Sequence, residues 1–91
     1  EEFICNAHNN RADEKVLFQL LRLGVKVDMY TTFINNKINQ TIIASFAGTS
    51  RETVSRVLGQ LKRLGVLKFD QDKNLIINSV EVKKLLNRGL M

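Results

Sequence analysis

The chain is 91 residues long, which supports one modest hydrophobic core and leaves little room for a deep enzyme pocket. Hydrophobic residues make up 44% of it and charged residues 25%, a composition typical of a folded globular domain rather than of a disordered segment. Fourteen Lys and Arg residues against nine Asp and Glu residues give a net charge of +5, which favours an anionic partner such as nucleic acid.

The first element that the sequence predicts is a helix. Apolar residues recur at helical spacing from Ala12 onward, Asn9 or Asn10 is suited to cap the helix, and Gly24 is expected to end it. Asp13 and Glu14 fall in the first turn, where a negative charge suits the positive end of the helix dipole.

Strands and further helices follow. Residues 25–38 are rich in β-branched and aromatic side chains and predict two short strands, with a turn-prone interruption at residues 35–36. The remaining elements are expected to be, in chain order, a helix beginning at Gln40, a helix over residues 50–64 capped by Ser50, a hairpin over residues 66–77 with a polar turn at residues 70–74, and a last helix over residues 79–86 capped by Ser79.

Residues 40–59 fit a helix-turn-helix unit. Two helices that cross over a short turn need a small residue at the crossing, which Ala44 supplies. The turn needs a residue that tolerates positive φ, and Gly48 follows four residues later. The apolar residues on the inward face of the unit are Ile43, Ala47, Val54 and Val57. An ordinary helical hairpin is the alternative, but the filled positions favour the helix-turn-helix.

The exposed side of the second helix carries side chains suited to DNA. The candidate base-contacting residues are Arg51, Glu52, Ser55 and Arg56, in the half of the helix that enters the major groove. Arginine suits bidentate contact with guanine, and glutamate accepts from cytosine N4. Ser50 and Thr53 are short hydroxyl donors suited to phosphate. An ion pair between Glu52 and Arg56 on a solvated face is the plainer interpretation, and it is compatible with base contact because it would preorganise Arg56.

The hairpin after this helix predicts the wing of a winged helix. Lys68 and Lys73 are expected to contact phosphate, whereas Asp70 and Asp72 at the tip would repel it. The predicted fold class is therefore α+β. It is a winged helix-turn-helix with a three-helix core, a small antiparallel β-hairpin wing and an extra C-terminal helix, in a single domain over residues 1–91.

Residues 48–58, Gly-Thr-Ser-Arg-Glu-Thr-Val-Ser-Arg-Val-Leu, resemble the recognition-helix signature of the Crp/Fnr family of transcription regulators. The similarity extends over roughly residues 11–77. In that family this region is the C-terminal DNA-binding domain, and a sensor domain and a long dimerisation helix precede it. Because the chain begins with Glu1, both are expected to be missing from it.

The resemblance also implies residue roles. Glu52 and Arg56 match the family's main base-contacting positions, and the family's half-sites share a TGA core. Arg51 matches the additional arginine of the cyclic-AMP receptor type, whereas Ser55 matches the serine of the Fnr type. The residues that match phosphate-contacting positions are Gln40, Ser50 and Thr53. The resemblance implies a cytoplasmic regulator that binds double-stranded DNA as a homodimer in the full-length protein, with RNA polymerase as a further partner.

Other functions fit these residues less well. A winged helix that serves as a protein-interaction module would place apolar side chains on the exposed face of the second helix. Non-specific nucleic-acid binding would need more Lys and Arg outside the motif. No catalytic residues are predicted, because no nucleophile–base constellation or carboxylate pair appears. Lone Cys5 and His8 predict neither a disulfide framework nor a metal site, and no cofactor is expected in this domain. No membrane partner is expected, because the apolar runs are far shorter than the roughly 20 residues of a spanning helix.

Overall fold

A computed structural model of the protein describes residues 10–89. The elements are α1 (Asn10–Leu23), β1 (Val25–Lys26), β2 (Thr31–Ile34), α2 (Gln40–Ala47), α3 (Arg51–Arg63), β3 (Leu67–Phe69), β4 (Leu75–Asn78) and α4 (Ser79–Gly89). This order confirms the predicted α+β winged helix-turn-helix with an extra C-terminal helix. The expectations for Cys5, His8 and an Asn9 cap lie outside the described residues.

The helices enclose one hydrophobic core. Helix α1 packs against α2, α3 and α4, and its apolar stripe of Val16, Leu17 and Leu20 is fully buried. Each such side chain contributes about 1.5–3 kcal/mol by leaving water, so this stripe anchors α1 under the helix-turn-helix unit. The matching residues from α2 and α3 are Ile43, Ala44, Ala47, Val54, Val57, Leu58 and Leu61, all buried.

All four strands belong to one antiparallel sheet, in the order β1-β2-β4-β3. Strand β2 pairs with β4, with Ile34 opposite Leu75, and the wing hairpin pairs Leu67 with Ile77. The predicted wing is therefore one half of a larger sheet. Its other half is the pair of short strands expected before α2.

The interruption expected at residues 35–36 does not separate β1 from β2. That turn lies at residues 27–30, where Val27 N donates to Thr31 O at 2.9 Å and Tyr30 N donates to the Asp28 carboxylate at 2.8 Å. Strand β2 continues to Ile34 because that side chain is fully buried. Residues 35–36 instead begin the loop that leads into α2.

Helix α4 starts differently from the expectation that Ser79 caps it. Ser79 is the first helical residue and is buried, with its Oγ 2.6 Å from the Thr32 hydroxyl of β2. The side chain of Asn78 takes the capping role, because its Oδ1 accepts from Glu81 N at 3.1 Å. The serine therefore joins α4 to the sheet.

Gly24 lies where α1 meets the sheet. A Cβ at this position would clash with the Thr32 side chain and lie 3.0 Å from Ile34 Cγ1. Glycine therefore permits the close approach of the end of α1 to β2, in addition to ending the helix as predicted.

Candidate nucleic-acid interface

The turn between α2 and α3 has the geometry that the helix-turn-helix prediction requires. Gly48 lies in the left-handed region with φ 69° and ψ 37°, which glycine adopts without steric cost. Thr49 N donates to Ala44 O at 3.1 Å, which closes the end of α2. At the other end of α2, the Asn39 side chain accepts from Ile42 N at 3.0 Å. Both ends of this eight-residue helix are thus fixed by local hydrogen bonds.

Ser50 caps α3, as predicted. Its Oγ accepts from Thr53 N at 3.1 Å and lies 3.0 Å from the Thr53 hydroxyl. Since one hydroxyl hydrogen suffices for the contact between the two oxygens, the pair retains a second hydrogen for an outside acceptor. The backbone N–H groups of Arg51 and Glu52 precede the first intrahelical hydrogen bonds of α3. This end of the helix is therefore rich in donors, and its dipole favours an anion.

Buried residues fix which side of α3 faces outward. Val54, Val57, Leu58 and Leu61 hold one side of the helix in the core. The four residues predicted to contact bases, Arg51, Glu52, Ser55 and Arg56, are all exposed. The structure therefore brings the predicted residues together on the outer side of the N-terminal half of α3.

Arg56 makes an ion pair that the sequence did not predict. Its Nη2 donates to Asp13 Oδ1 at 2.7 Å, and its Nη1 donates to Oδ2 at 3.4 Å. The Asp13 side chain is fully buried, whereas the Arg56 side chain is 39% exposed. Arg56 thus pairs with α1 rather than with Glu52, the expected partner within α3. Among the described residues, the only other ion pair joins Lys84 to Glu81 on α4.

A signal for this pair was present in the sequence. Asp13 precedes Val16 and Leu17 by three and four residues, so it lies on the same side of α1 as the buried stripe. A buried carboxylate needs a cationic partner. Because Asp13 lies in the first turn of α1, the helix dipole alone is enough to explain its charge in the sequence. Its need for a cationic partner was therefore not predicted.

The predicted phosphate-contacting residues lie on α2, at the start of α3 and on the wing. Gln40 is half-buried at the start of α2, and Ser50 and Thr53 lie at the start of α3. Lys68 and Lys73 are exposed on the wing, and Lys73 adopts a positive φ of 65°. Two further basic residues, Lys62 and Arg63, lie exposed in the last turn of α3.

The tip of the wing is built around Asp70. Its carboxylate accepts from the Asn74 side chain at 3.1 Å, from Asn74 N at 2.9 Å and from Asp72 N at 2.9 Å. These hydrogen bonds, that from the Asn74 side chain above all, hold the pKa of Asp70 below its usual range. Asp70 therefore shapes the turn, in addition to carrying the negative charge expected at the tip.

Asn36 joins the wing to the loop before α2. Its N donates to Asn74 Oδ1 and its Nδ2 donates to Asp72 O, both at 2.7 Å. These bonds fix the wing tip relative to the start of the helix-turn-helix unit. A small cavity of about 150 Å³ lies beside them, lined in part by Gln40, Leu58 and Lys73. Asn36 therefore links the loop before α2 to the wing tip, a contact that the sequence did not predict.

A winged helix-turn-helix with polar and basic residues on the outer side of its second helix has the architecture of a DNA-binding domain of a transcription regulator. The family model of the Crp-like helix-turn-helix domain matches residues 14–86, and the chain belongs to this family. This confirms the resemblance stated from the recognition-helix motif. The chain is accordingly a DNA-binding domain of the kind that regulates transcription.

Solved structures of CprK, a Crp/Fnr family regulator, are similar to the chain. CprK complexed with OCPA is 27% identical over 87% of this chain, with a TM-score of 0.64. Oxidised CprK in complex with o-chlorophenolacetic acid is 28% identical over 87% of this chain, with a TM-score of 0.64. Reduced CprK without ligand is 28% identical over 81%, with a TM-score of 0.60. The chain spans 35–39% of the length of these proteins.

The comparison with curated protein sequences found no match for the chain. Within residues 10–89, no helix is long and apolar enough to cross a membrane. The same residues contain no cluster of three or more His, Cys, Asp or Glu side chains arranged to hold a metal ion.

Proposed function

We propose that the domain binds double-stranded DNA sequence-specifically, with the N-terminal half of α3 in the major groove of a half-site that contains TGA. The observation that carries this proposal is the arrangement of α3. Its apolar side is held in the core, while Arg51, Glu52, Ser55 and Arg56 are exposed together on the other side. Family membership supports DNA binding, and the exposed side chains support base-specific contact.

The base contacts follow from hydrogen-bonding chemistry. The TGA core contains one G·C pair, which presents guanine O6 and N7 to an arginine and cytosine N4 to a carboxylate. Arg56 is proposed to contact the guanine and Glu52 the cytosine of this pair. Arg51 and Ser55 contact flanking bases.

Phosphate contacts position the domain on the duplex. Ser50 and Thr53 lie together at the start of α3, and Gln40 lies at the start of α2. Their hydroxyl, amide and backbone groups are donors suited to phosphate. Lys68 and Lys73 on the wing are proposed to contact the phosphates beside the half-site. Such contacts make binding strongly dependent on salt.

Two copies are proposed to act as a homodimer, because Crp-family regulators are dimeric. Their α3 helices would then contact half-sites about 34 Å apart, one helical turn of DNA. A single 91-residue chain covers one half-site and is expected to bind weakly.

The proposal is tested by fluorescence anisotropy with a palindrome of TGA-containing half-sites and a scrambled duplex of equal length, each at two salt concentrations. We expect tighter binding to the palindrome, with the preference retained at the higher salt because base contacts are screened less than phosphate contacts. Equal, salt-sensitive binding to both duplexes would refute TGA recognition by this chain. Absence of binding to either duplex at low salt would favour the protein-interaction module.

A protein contact is a second candidate function, and it is favoured by a different surface. Val27, Met29 and Tyr30 in the β1–β2 turn are 60–73% exposed. Exposed apolar clusters of this kind are typical of protein interfaces. RNA polymerase is the proposed partner, and Met29→Ser is expected to lower transcription in a reconstituted assay without changing DNA affinity. Unchanged transcription would exclude this contact.

A further inference from the structure

The ion pair between Asp13 and Arg56 joins the first turn of α1 to the outer side of α3. Asp13 lies in the first turn of α1 and its carboxylate is fully buried. Arg56 lies on the outer side of α3, among the residues proposed to contact bases. The two side chains meet through two hydrogen bonds, of 2.7 Å and 3.4 Å.

We propose that Asp13 is a positioning residue for base recognition: it holds the Arg56 guanidinium in the orientation in which its remaining donors contact the half-site. This inference rests on the proposed function, since it concerns the same site. Asp13 itself is buried and does not touch DNA. It acts through Arg56.

The donor inventory of arginine makes both contacts compatible. A guanidinium carries five N–H donors in a fixed plane, and Asp13 uses two of them. Three donors remain, and the 39% exposure of the side chain leaves part of the group open to solvent. The plane of the fork is fixed by the carboxylate, so the directions of the remaining donors are fixed as well.

Preorganisation is the physical advantage of this arrangement. An arginine side chain has many rotamers, and ordering it at an interface is costly. Here the buried carboxylate orders the guanidinium before DNA arrives. A mobile arginine at the same place would give weaker discrimination between bases at equal charge.

Asp13→Asn is the sharpest test, because it removes the charge with almost no change of shape. In this variant the group that loses its charged partner is the Arg56 guanidinium, which is partly exposed and can be hydrated. No unpaired carboxylate remains buried. Glu14→Gln is the matched control. It makes the same change in net charge at the neighbouring position of α1, and Glu14 lines the groove between α1 and α4, which contains no α3 residue.

The measured quantity is the ratio of affinities for a TGA half-site duplex and for a duplex whose central G·C pair is replaced by A·T. We expect Asp13→Asn to lower this ratio about tenfold, the discrimination that one bidentate contact supplies. Affinity for the substituted duplex should be equal in the two variants, because they carry the same net charge. Glu14→Gln should keep the wild-type ratio.

A merely structural role predicts a different result. Asp13→Asn would then lower thermal stability, but the folded protein would discriminate as well as the wild type. That result, or improved discrimination, would overturn the proposal. If the wild type itself shows no preference for the TGA duplex, the proposed base recognition fails, and the following measurement decides only whether Asp13 holds the Arg56 guanidinium in place.

Nuclear magnetic resonance of the arginine side chains provides this second test, without DNA. In the wild-type protein the Nη protons of Arg56 should show hindered rotation about the Nε–Cζ bond, because the carboxylate holds both nitrogens. Asp13→Asn should restore rapid rotation, and Glu14→Gln should not. If Asp13→Asn does not fold, Asp13→Glu, which retains the charge on a longer side chain, is examined in the same way. Rapid rotation in the wild type would contradict the proposal.

Discussion

Two carboxylates organise the two ends of the candidate interface, and they do so by different means. Asp13 is buried beneath α3 and pairs with a cation, whereas Asp70 is exposed at the wing tip and accepts hydrogen bonds from its own turn. The same chemical group therefore has a large energetic effect in one region and a small one in the other. Burial decides the difference, because water screens Asp70 and not Asp13.

The largest expected effect is at the buried end. Arg56→Ala leaves the Asp13 carboxylate buried without a cation, and we expect the free energy of unfolding to fall by about 3 kcal/mol. Urea denaturation measures this loss. Arg51→Ala is the control, because an exposed arginine on the same helix should change stability by less than about 0.5 kcal/mol. Equal effects of the two variants would show that the ion pair contributes nothing.

This result changes how Arg56 variants are interpreted. Lost DNA binding in Arg56→Ala would combine a missing base contact with a destabilised domain. Binding has to be compared at a temperature at which both proteins are fully folded. Glu52 has no such complication, since no ion pair or side-chain hydrogen bond involves it among the described residues.

The difference between a crowded and an open position can also be tested with uncharged residues, at two glycines. Gly24→Ala should destabilise the protein by about 2 kcal/mol, because the new methyl group clashes with the Thr32 side chain. Gly59→Ala on α3 should instead stabilise it by about 0.5–1 kcal/mol, since its Cβ would meet open space and alanine favours the helix. Thermal unfolding of both variants measures the difference. Stabilisation by Gly24→Ala would contradict the packing of α1 against β2.

Local requirements of the chain could be predicted from the sequence, whereas contacts between distant residues could not. Gly48 and Ser50 were predicted with their roles, because a positive φ and a helix cap are local requirements with few suitable residues. Ser79 was wrongly assigned as a cap, and Asp13 was assigned to the helix dipole, because a local role was available for each. Their actual partners, Thr32 and Arg56, are 47 and 43 residues distant in sequence.

The pairing of the two hairpins into one sheet could not be predicted from the sequence either. The alternation of apolar residues predicts strands, but which strands pair depends on the whole fold. The four base-contacting candidates were found because they share one helix, so that their spacing alone brings them together. No spacing in the sequence indicates which residues of α1 contact which residues of α3.

A smaller effect is expected from the wing cations. If Lys68 and Lys73 contact phosphate, replacing either by alanine should reduce the slope of log affinity against log salt concentration by about one. Affinities for the TGA and substituted duplexes should fall in parallel. Binding titrations at four salt concentrations measure the slope, and Lys26→Ala, an exposed position on β1, provides the control. An unchanged slope would exclude the substituted lysine from the interface.

The smallest effect concerns the pH dependence of the wing. The pKa of Asp70 is lower in the folded than in the unfolded state, so its contribution to stability is present above the unfolded pKa and is lost as the pH falls through the folded pKa. The wild type should therefore lose slightly more stability on acidification than Asp70→Asn. Thermal unfolding from pH 7 down to pH 2 compares the two curves. Parallel curves would show that the charge of Asp70 does not stabilise the turn.

Base recognition by α3 is tested most directly by Glu52→Gln, measured on duplexes that carry each of the four base pairs at the centre of the TGA core. We expect the wild type to prefer the G·C pair, and the variant to lose about 1–3 kcal/mol of that preference, in addition to a uniform gain in affinity on all four duplexes from the lost negative charge. A uniform change on all four duplexes with the preference for G·C unaltered, or no change on any, would contradict the base contact by Glu52 on the exposed side of α3.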